Sequence, residues 1–182
     1  PSGWSPAPSA SNLPPMTAAP APFGRLDVPA DANGVLANQH LHQAIEAGYI
    51  ESGAYKNHDS GVQHATVDVG LGEKAYRIRC SFLPDTDTVE HKVKQYIIDE
   101  LDLRDDGAVL ETHRPYLIPL IEELGLPPGV RARTNPKSST GRVDVFVRLI
   151  SDHGLAFDDV VEGYSGPLYL EIAPQTFSVL VR

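Results

Sequence analysis

Asn135-Pro136-Lys137-Ser138-Ser139-Thr140-Gly141-Arg142, followed by Val143-Asp144-Val145-Phe146-Val147, reads as a punctuated loop that feeds a strand. Pro136 and Gly141 interrupt regular structure at either end of the polar stretch, and the apolar run after it has strand character. Within six residues stand two serine hydroxyls, an ammonium and a guanidinium, a set that donates far more hydrogen bonds than it accepts. Two readings compete, a solvated turn and a cradle for an anion with several oxygens, such as a polyphosphate. Charge separates them. From Arg131 to Arg148 five cations (Arg131, Arg133, Lys137, Arg142, Arg148) face one carboxylate, Asp144, a local charge of +4 in a chain of net charge -9, which leaves -13 on the remainder. A compact basic island in an acidic chain fits a compact anionic ligand and not a long nucleic acid.

Outward from this stretch the chain is rich in short strands. Val143 to Ile150, Pro167 to Ile172 and Thr176 to Val181 read as strands separated by Gly, Asp and Pro. Upstream, Leu126-Pro127-Pro128-Gly129 is a turn and Val109 to Leu120 a strand. Val67, Val69 and Leu71 alternate as a strand with Asp68 on the opposite face, and Lys74 to Phe82 continues in the same manner. Two helices are expected. The first opens at Asn38 as N-cap, places Leu41 and Ile45 on one face and stops at Gly48; the second runs from about Thr88 to Leu101, where Val89, Val93, Ile97 and Leu101 recur every four residues. The acidic stretch from Asp99 to Asp106 reads as a solvated face and loop. The pattern predicts a mainly β fold, barrel-like or jelly-roll-like, with two short helices.

Length and composition set the frame. A chain of 182 residues with a 41% hydrophobic share holds one domain with a proper core. Residues 1–33 differ from the rest: eight of the sixteen prolines fall by position 29, among Ala and Ser, and the segment reads as an extended arm ahead of a β domain over 34–182. One cysteine, Cys80, allows neither an internal disulfide nor a thiolate metal site, which favours a reducing, cytoplasmic setting. No apolar run is long enough to span a bilayer, and the N-terminus lacks the pattern of a secretory signal. Net charge -9 argues against general affinity for nucleic acid or anionic membrane.

Catalytic candidates narrow quickly. His40 and His42 are two apart on an expected helix and point to different faces, and His58, His64, His91, His113 and His153 lack ligand-like spacing, so zinc is not expected. The His-x-Glu and Pro-Cys-x-x-Cys pattern of zinc nucleobase deaminases is absent, as is a Gly-x-Ser-x-Gly nucleophile elbow. Glu171, in Tyr169-Leu170-Glu171-Ile172, is a carboxylate among apolar strand residues. Alternation alone favours turning it to solvent; turned inward, beside a cation, it becomes a tunable general base.

Four segments together resemble the dCTP deaminases of the dUTPase superfamily. Lys137-Ser138-Ser139-Thr140-Gly141-Arg142 is similar to that family's Arg-Ser-Ser-x-x-Arg motif. Gly163-Tyr164-Ser165-Gly166-Pro167-Leu168-Tyr169-Leu170-Glu171 resembles its Gly-Trp-x-Gly-x-x-x-Leu-Glu segment, whose glutamate is catalytic. His64-Ala65-Thr66-Val67-Asp68-Val69-Gly70-Leu71-Gly72 resembles its Pro-Ala-Ser-Leu-Asp-Leu-Arg-Leu-Gly, and the helix ending Ala44-Ile45-Glu46-Ala47-Gly48 its opening helix. The match runs in order from about Gly34 to Arg182 and looks closest to the first unit of the long, two-unit bacterial deaminase-like proteins.

The resemblance implies a β-clip fold, a homotrimer or larger assembly, and active sites formed between units. It implies hydrolytic deamination of dCTP to dUTP and ammonia in deoxynucleotide metabolism, without zinc. Glu171 becomes the general base, Ser138 and Arg142 position the water and the developing oxyanion, and Lys137, Ser139 and Arg142 hold the triphosphate with Mg2+ bridging its oxygens. Tyr164 stands at a substrate-contacting position of the motif. The departures are Lys137 in place of Arg, a long segment from Leu149 to Glu162 without the family's Thr-Ala-His-Arg run, and Val161 where dUTPases carry their catalytic Asp. A C-terminal segment closing over the triphosphate is expected beyond Arg182. The rival readings are a dUTPase or bifunctional deaminase-diphosphatase, which Val161 weakens, and a non-catalytic half that binds nucleotide or completes an oligomer.

Overall fold

A computed structural model describes residue 26, residues 33–52 and residues 61–182. The expected arm over residues 1–33 lies outside the described residues apart from Leu26 and Asn33.

The chain is built around β9 (Ser165–Pro174), an inner strand between β5 (Tyr116–Gly125) and β7 (Val145–Ser151), antiparallel to both. Because both faces of β9 are covered, Leu168, Tyr169, Glu171 and Ile172 are all buried, which explains a near-continuous apolar run where a half-solvated strand would alternate. β5 carries β9 on one edge. Its other edge takes β2 (Lys74–Ile78) in the first half and β1 (Ile50–Glu51) in the second, and β3 (Ile97–Asp102) pairs with β2. The order β3-β2-β5-β9-β7 leaves the sheet open, with β7 on its edge and no barrel closure among the described residues. Two ribbons complete the framework: β4 (Ala108–Leu110) with β10 (Val179–Val181), and β6 (Ala132–Arg133) with β8 (Asp159–Val160).

The two faces of the sheet have separate cores. Ile78, Phe82, Val89, Val93, Leu117, Ile150 and Tyr169 pack on the face that Glu171 shares, since Glu171 is two residues from Tyr169 along β9 and directly opposite Leu117 on β5. Tyr116, Ile118 and Ile172 pack on the other face with Leu110, and Leu149, Val160 and Leu168 continue that side. Each fully buried aliphatic side chain contributes roughly 1.5–3 kcal/mol relative to exposure.

The mainly β reading agrees with this architecture, but several elements differ. The expected helix over 88–101 is only α2 (Val89–Val93), with Thr88 as N-cap, and Ile97 to Leu101 lie on β3. Four-residue recurrence fits a strand as well as a helix, because four is a multiple of the strand period; the Thr88 cap marked the start but nothing marked the stop. Asn38 is not the cap of α1 (Asn38–Glu46). It is the first helical residue, its side-chain amide donating to Gln63 O at 3.0 Å, and Ala37 stands at the N-cap. Gly48 does end this helix, at φ 80°, a value only glycine adopts at little cost. A third helical turn, α3 (Ser138–Arg142), occupies the polar loop, so the described residues hold three short helices, not two.

The segment over Val67–Leu71 is not a regular strand either. Isolated bridges Val62–Val67 and Leu71–Leu120, with Gly72 N donating to Pro119 O at 2.8 Å, lay it along the middle of β5. A Cβ on Gly72 would sit 2.7 Å from Pro119 O, so the approach requires glycine. No helix among the described residues is long and apolar enough to cross a membrane.

Leu117, fully buried beneath Glu171, is a direct probe of this core. Leu117→Ala is expected to lower unfolding free energy by about 2–5 kcal/mol, while Val109→Ala, at a side chain 56% exposed, changes it by less than about 1 kcal/mol. Urea midpoints that fell equally for both would contradict the burial assignment.

Candidate active site

The register of β7 on β9 places Arg148 directly opposite Glu171. β9 is covered on this face and Arg148 is the lone charge in the apolar run of β7, so each charge has the other as its natural cross-strand partner. Glu171 is 3% exposed and Arg148 keeps 25% of its side-chain surface. Arg148 Nη2 donates to Glu171 Oε1 at 3.0 Å and Nε to the same oxygen at 3.3 Å. Ser81, in the loop after β2, donates from Oγ to Glu171 Oε2 at 2.6 Å. Arg148 Nη2 also donates to Ser81 Oγ at 2.6 Å, which closes a three-member ring.

Two aromatic rings fix the guanidinium from outside. Its carbon lies 3.8 Å from the Phe157 centroid and 5.1 Å from that of Phe146, within cation–π range. Phe157 belongs to the long segment between β7 and β9. That segment folds back because Asp158 Oδ1 accepts from Leu149 N at 2.7 Å and from Thr134 Oγ1 at 3.2 Å. The stretch that departs from the motif pattern thus supplies one wall around the carboxylate.

The basic loop forms the second part of the site. Ser138, Ser139 and Arg142 lie on the exposed turn α3 and have no side-chain partner among the described residues. From Val145, where β7 starts, to Arg148 is three residues, so the beginning of the strand is roughly 10 Å from the charge pair. Phe146, on the same face of β7 as Arg148, stands between, 47% exposed. Lys137 is occupied: its ammonium lies 2.6 Å from Asp68 Oδ2. Both partners are partly solvated, a geometry that contributes little to stability and yields readily to a stronger anion.

Tyr164 lies apart from these groups. It is 5% exposed, its hydroxyl donates to Pro167 O at 2.6 Å and accepts from Asp152 N at 3.2 Å, and burial pushes its phenol well above the usual range. Those bonds use the hydroxyl to shape the turn into β9. Tyr169, two residues before Glu171 on the same face, is 9% exposed, and burial pushes its phenol up to about 12. Among the described residues no three His, Cys, Asp or Glu side chains gather as metal ligands. An open cleft of about 730 Å³, lined by Leu71, Glu73, Leu103, Arg104 and Arg182 among others, includes none of the candidate residues.

Sequence reasoning counted Arg148 only as part of a basic island and missed Ser81, Phe146 and Phe157. A signal for Arg148 was present. A lone cation in Val147-Arg148-Leu149-Ile150 and a lone carboxylate in Leu170-Glu171-Ile172 mark two buried strands that need each other. Ser81 carried no such signal, because its contact depends on the path of a loop.

The geometry defines a class: an open antiparallel β domain with a charge-paired carboxylate buried on its inner strand and a donor loop at its edge. Residues 32–182 match the family model described as the 2'-deoxycytidine 5'-triphosphate deaminase N-terminal domain. The chain is similar to the crystal structure of 2'-deoxycytidine 5'-triphosphate deaminase from Agrobacterium tumefaciens, with TM-score 0.77 and 45% identity over 82% of this chain and 44% of that one. A comparison with curated proteins gives no match. The chain belongs to the dCTP deaminase N-terminal domain family. It spans less than half the length of the Agrobacterium enzyme.

Burial of the Tyr164 and Tyr169 phenols is expected to make the domain lose stability in alkali. Tyr169 titrates near 10 when unfolded and about 12 when folded. A folded value above the unfolded one means full stability below pH 10, lost as pH rises toward 12. The loss attributable to Tyr169 is up to about 1.4 kcal/mol per pH unit, less where the ring edge stays solvated. Tyr169→Phe is expected to blunt the fall of urea midpoint between pH 10 and 12, and an unchanged fall would contradict the phenol's burial.

Proposed function

We propose that this domain takes part in hydrolytic deamination of dCTP to dUTP and ammonia, with Glu171 as general base. The observation that carries the reading is the buried Glu171–Arg148 pair, which joins inner strand β9 to β7, the edge strand that the donor loop of α3 leads into. The family supports the substrate class.

In this reading the triphosphate lies against Lys137, Ser139 and Arg142, and Asp68 gives up the Lys137 ammonium to it. Mg2+ would enter with the triphosphate, held mainly by phosphate oxygens and water, where it offsets charge. Asp68, released from Lys137, is a carboxylate beside the same loop and is chemically suited to such an ion or its waters. The pyrimidine reaches along β7 toward Glu171. Water attacks C4 and loses a proton to Glu171; Ser138 and Arg142 of a neighbouring unit's α3 donate to the charge that develops, and Glu171 returns the proton to the leaving amine. The exocyclic C4–N bond breaks as the remaining hydroxyl proton passes to N3, leaving the C4 carbonyl and N3–H of dUTP and ammonia. In this reading water activation falls to the carboxylate, and no zinc is assigned to the site.

Trimeric assembly is part of the proposal. Ser138, Ser139 and Arg142 open to solvent and β7 presents an unpaired edge, so a neighbouring unit can complete the site there. A single thiol, Cys80, exposed and unpaired, suits a reducing cytoplasm. The dUTPase rival finds Val161, 52% exposed, where its catalytic carboxylate belongs. A second reading, a non-catalytic half that completes an oligomer, is favoured by the Lys137–Asp68 pair, which occupies the loop's ammonium.

The test is incubation of the protein with dCTP, dUTP and CTP, with ammonia and diphosphate measured separately. Ammonia from dCTP without diphosphate is expected. Glu171→Gln is expected to reduce ammonia release by about 10²–10⁴-fold while dCTP affinity changes little. Full turnover by the Gln variant would remove Glu171 from the chemistry.

A further inference from the structure

The ring joining Arg148, Ser81 and Glu171 has a direction that follows from the chemistry of its members. A guanidinium only donates, and a serine hydroxyl has one proton. Arg148 Nη2, 2.6 Å from Ser81 Oγ, therefore occupies an acceptor position of that oxygen. The Ser81 proton is free to point at Glu171 Oε2, 2.6 Å away. Proton donation thus runs from Arg148 to Ser81 to Glu171 and cannot run the other way.

The same count shows what the carboxylate has left. Oε1 accepts from Arg148 twice, at 3.0 and 3.3 Å, and both its lone pairs are taken. Oε2 accepts once, from Ser81, and one lone pair remains. From β5 the apolar Leu117 faces Glu171, and Tyr169 is its neighbour on β9, so neither element brings a second charge. Phe157 and Phe146 hold the guanidinium on its outer sides.

We infer that Arg148 and Ser81 are positioning residues that lock the Glu171 carboxylate with its single open lone pair on Oε2. The inference rests on Glu171 acting as the base, and it adds which oxygen takes the proton and which residues choose it. Phe157 gives the long segment between β7 and β9 a part in the same lock. Ser81→Ala removes the donor to Oε2, lets the carboxylate present either lone pair there, and leaves Arg148 in place. Arg148→Met removes the cation and leaves a buried carboxylate uncompensated.

Two measurements on the full chain test the lock. The first is kinetic: Ser81→Ala is expected to lower kcat for dCTP deamination about 10- to 100-fold with KM changed less than about threefold, and Ser81→Thr to restore most of kcat. A purely structural serine would leave kcat unchanged once the protein is folded, and that result overturns the positioning role. The second needs no turnover. Arg148→Met is expected to raise the unfolding equilibrium constant about 100-fold in the native background and less than about 10-fold in a Glu171→Gln background, the signature of coupling. Equal increases in both backgrounds overturn the lock. If the native protein releases no ammonia while the unfolding cycle shows coupling, the deamination reading fails and the Arg148–Glu171 lock stands.

Discussion

The ion pair between Arg148 and Glu171 is the constraint on which the rest of this site depends. A carboxylate 3% exposed on an inner strand is costly unless a cation and hydrogen-bond donors satisfy it. That requirement fixes more than one pair. It demands the register of β7 on β9 that sets the two residues opposite each other, the loop after β2 that delivers Ser81, and the fold-back of the 149–162 segment that lays Phe157 on the guanidinium. A slip of one residue between β7 and β9 would turn one charge to the other face, against Ile172 and Tyr116, with no partner. The pair therefore specifies register as well as chemistry.

Much of the candidate site is legible in the sequence because the residues proposed for it carry chemistry in compact motifs. The donors of α3 and Glu171 stood out as polar groups in the wrong surroundings: clustered cations in an acidic chain, a carboxylate in an apolar strand. The architecture was legible as a class for a related reason, since short apolar runs between Gly, Pro and Asp leave few alternatives to antiparallel sheets. What stayed hidden depends on non-local pairing. Ile97 and Leu101 recur at a spacing that suits helix and strand alike, and only pairing with β2 decides between them. Val67 to Leu71 alternates like a strand yet follows an irregular path, because it must fill the edge of β5 between β2 and β1. Ser81 meets Glu171 across 90 residues of chain, a contact no local pattern announces.

The site is half-built in an instructive way. Its carboxylate is fully positioned by the domain itself, whereas the hydroxyls and guanidinium of α3 face solvent at the end of an edge strand. In the proposed reading, rigid elements hold the group that needs a defined direction, and an exposed turn holds the groups that would reach a flexible, highly charged ligand. Lys137 illustrates the difference: its partner Asp68 keeps the ammonium near the loop without burying it. Such an arrangement suits assembly, because an adjoining unit against β7 would exclude water from the α3 side and strengthen every donor there.

In the proposed binding mode one nucleotide spans the face of β7 from α3 to Glu171. A crystal structure of the Glu171→Gln protein with dCTP and Mg2+ tests it most directly. Phosphate oxygens are expected on Ser139, Arg142 and Lys137, and cytosine C4 facing the Oε2 side of position 171, with Arg148 still between Phe146 and Phe157. A nucleotide bound away from β7, or turned so that its base lies on α3 and its phosphates on Arg148, would contradict it.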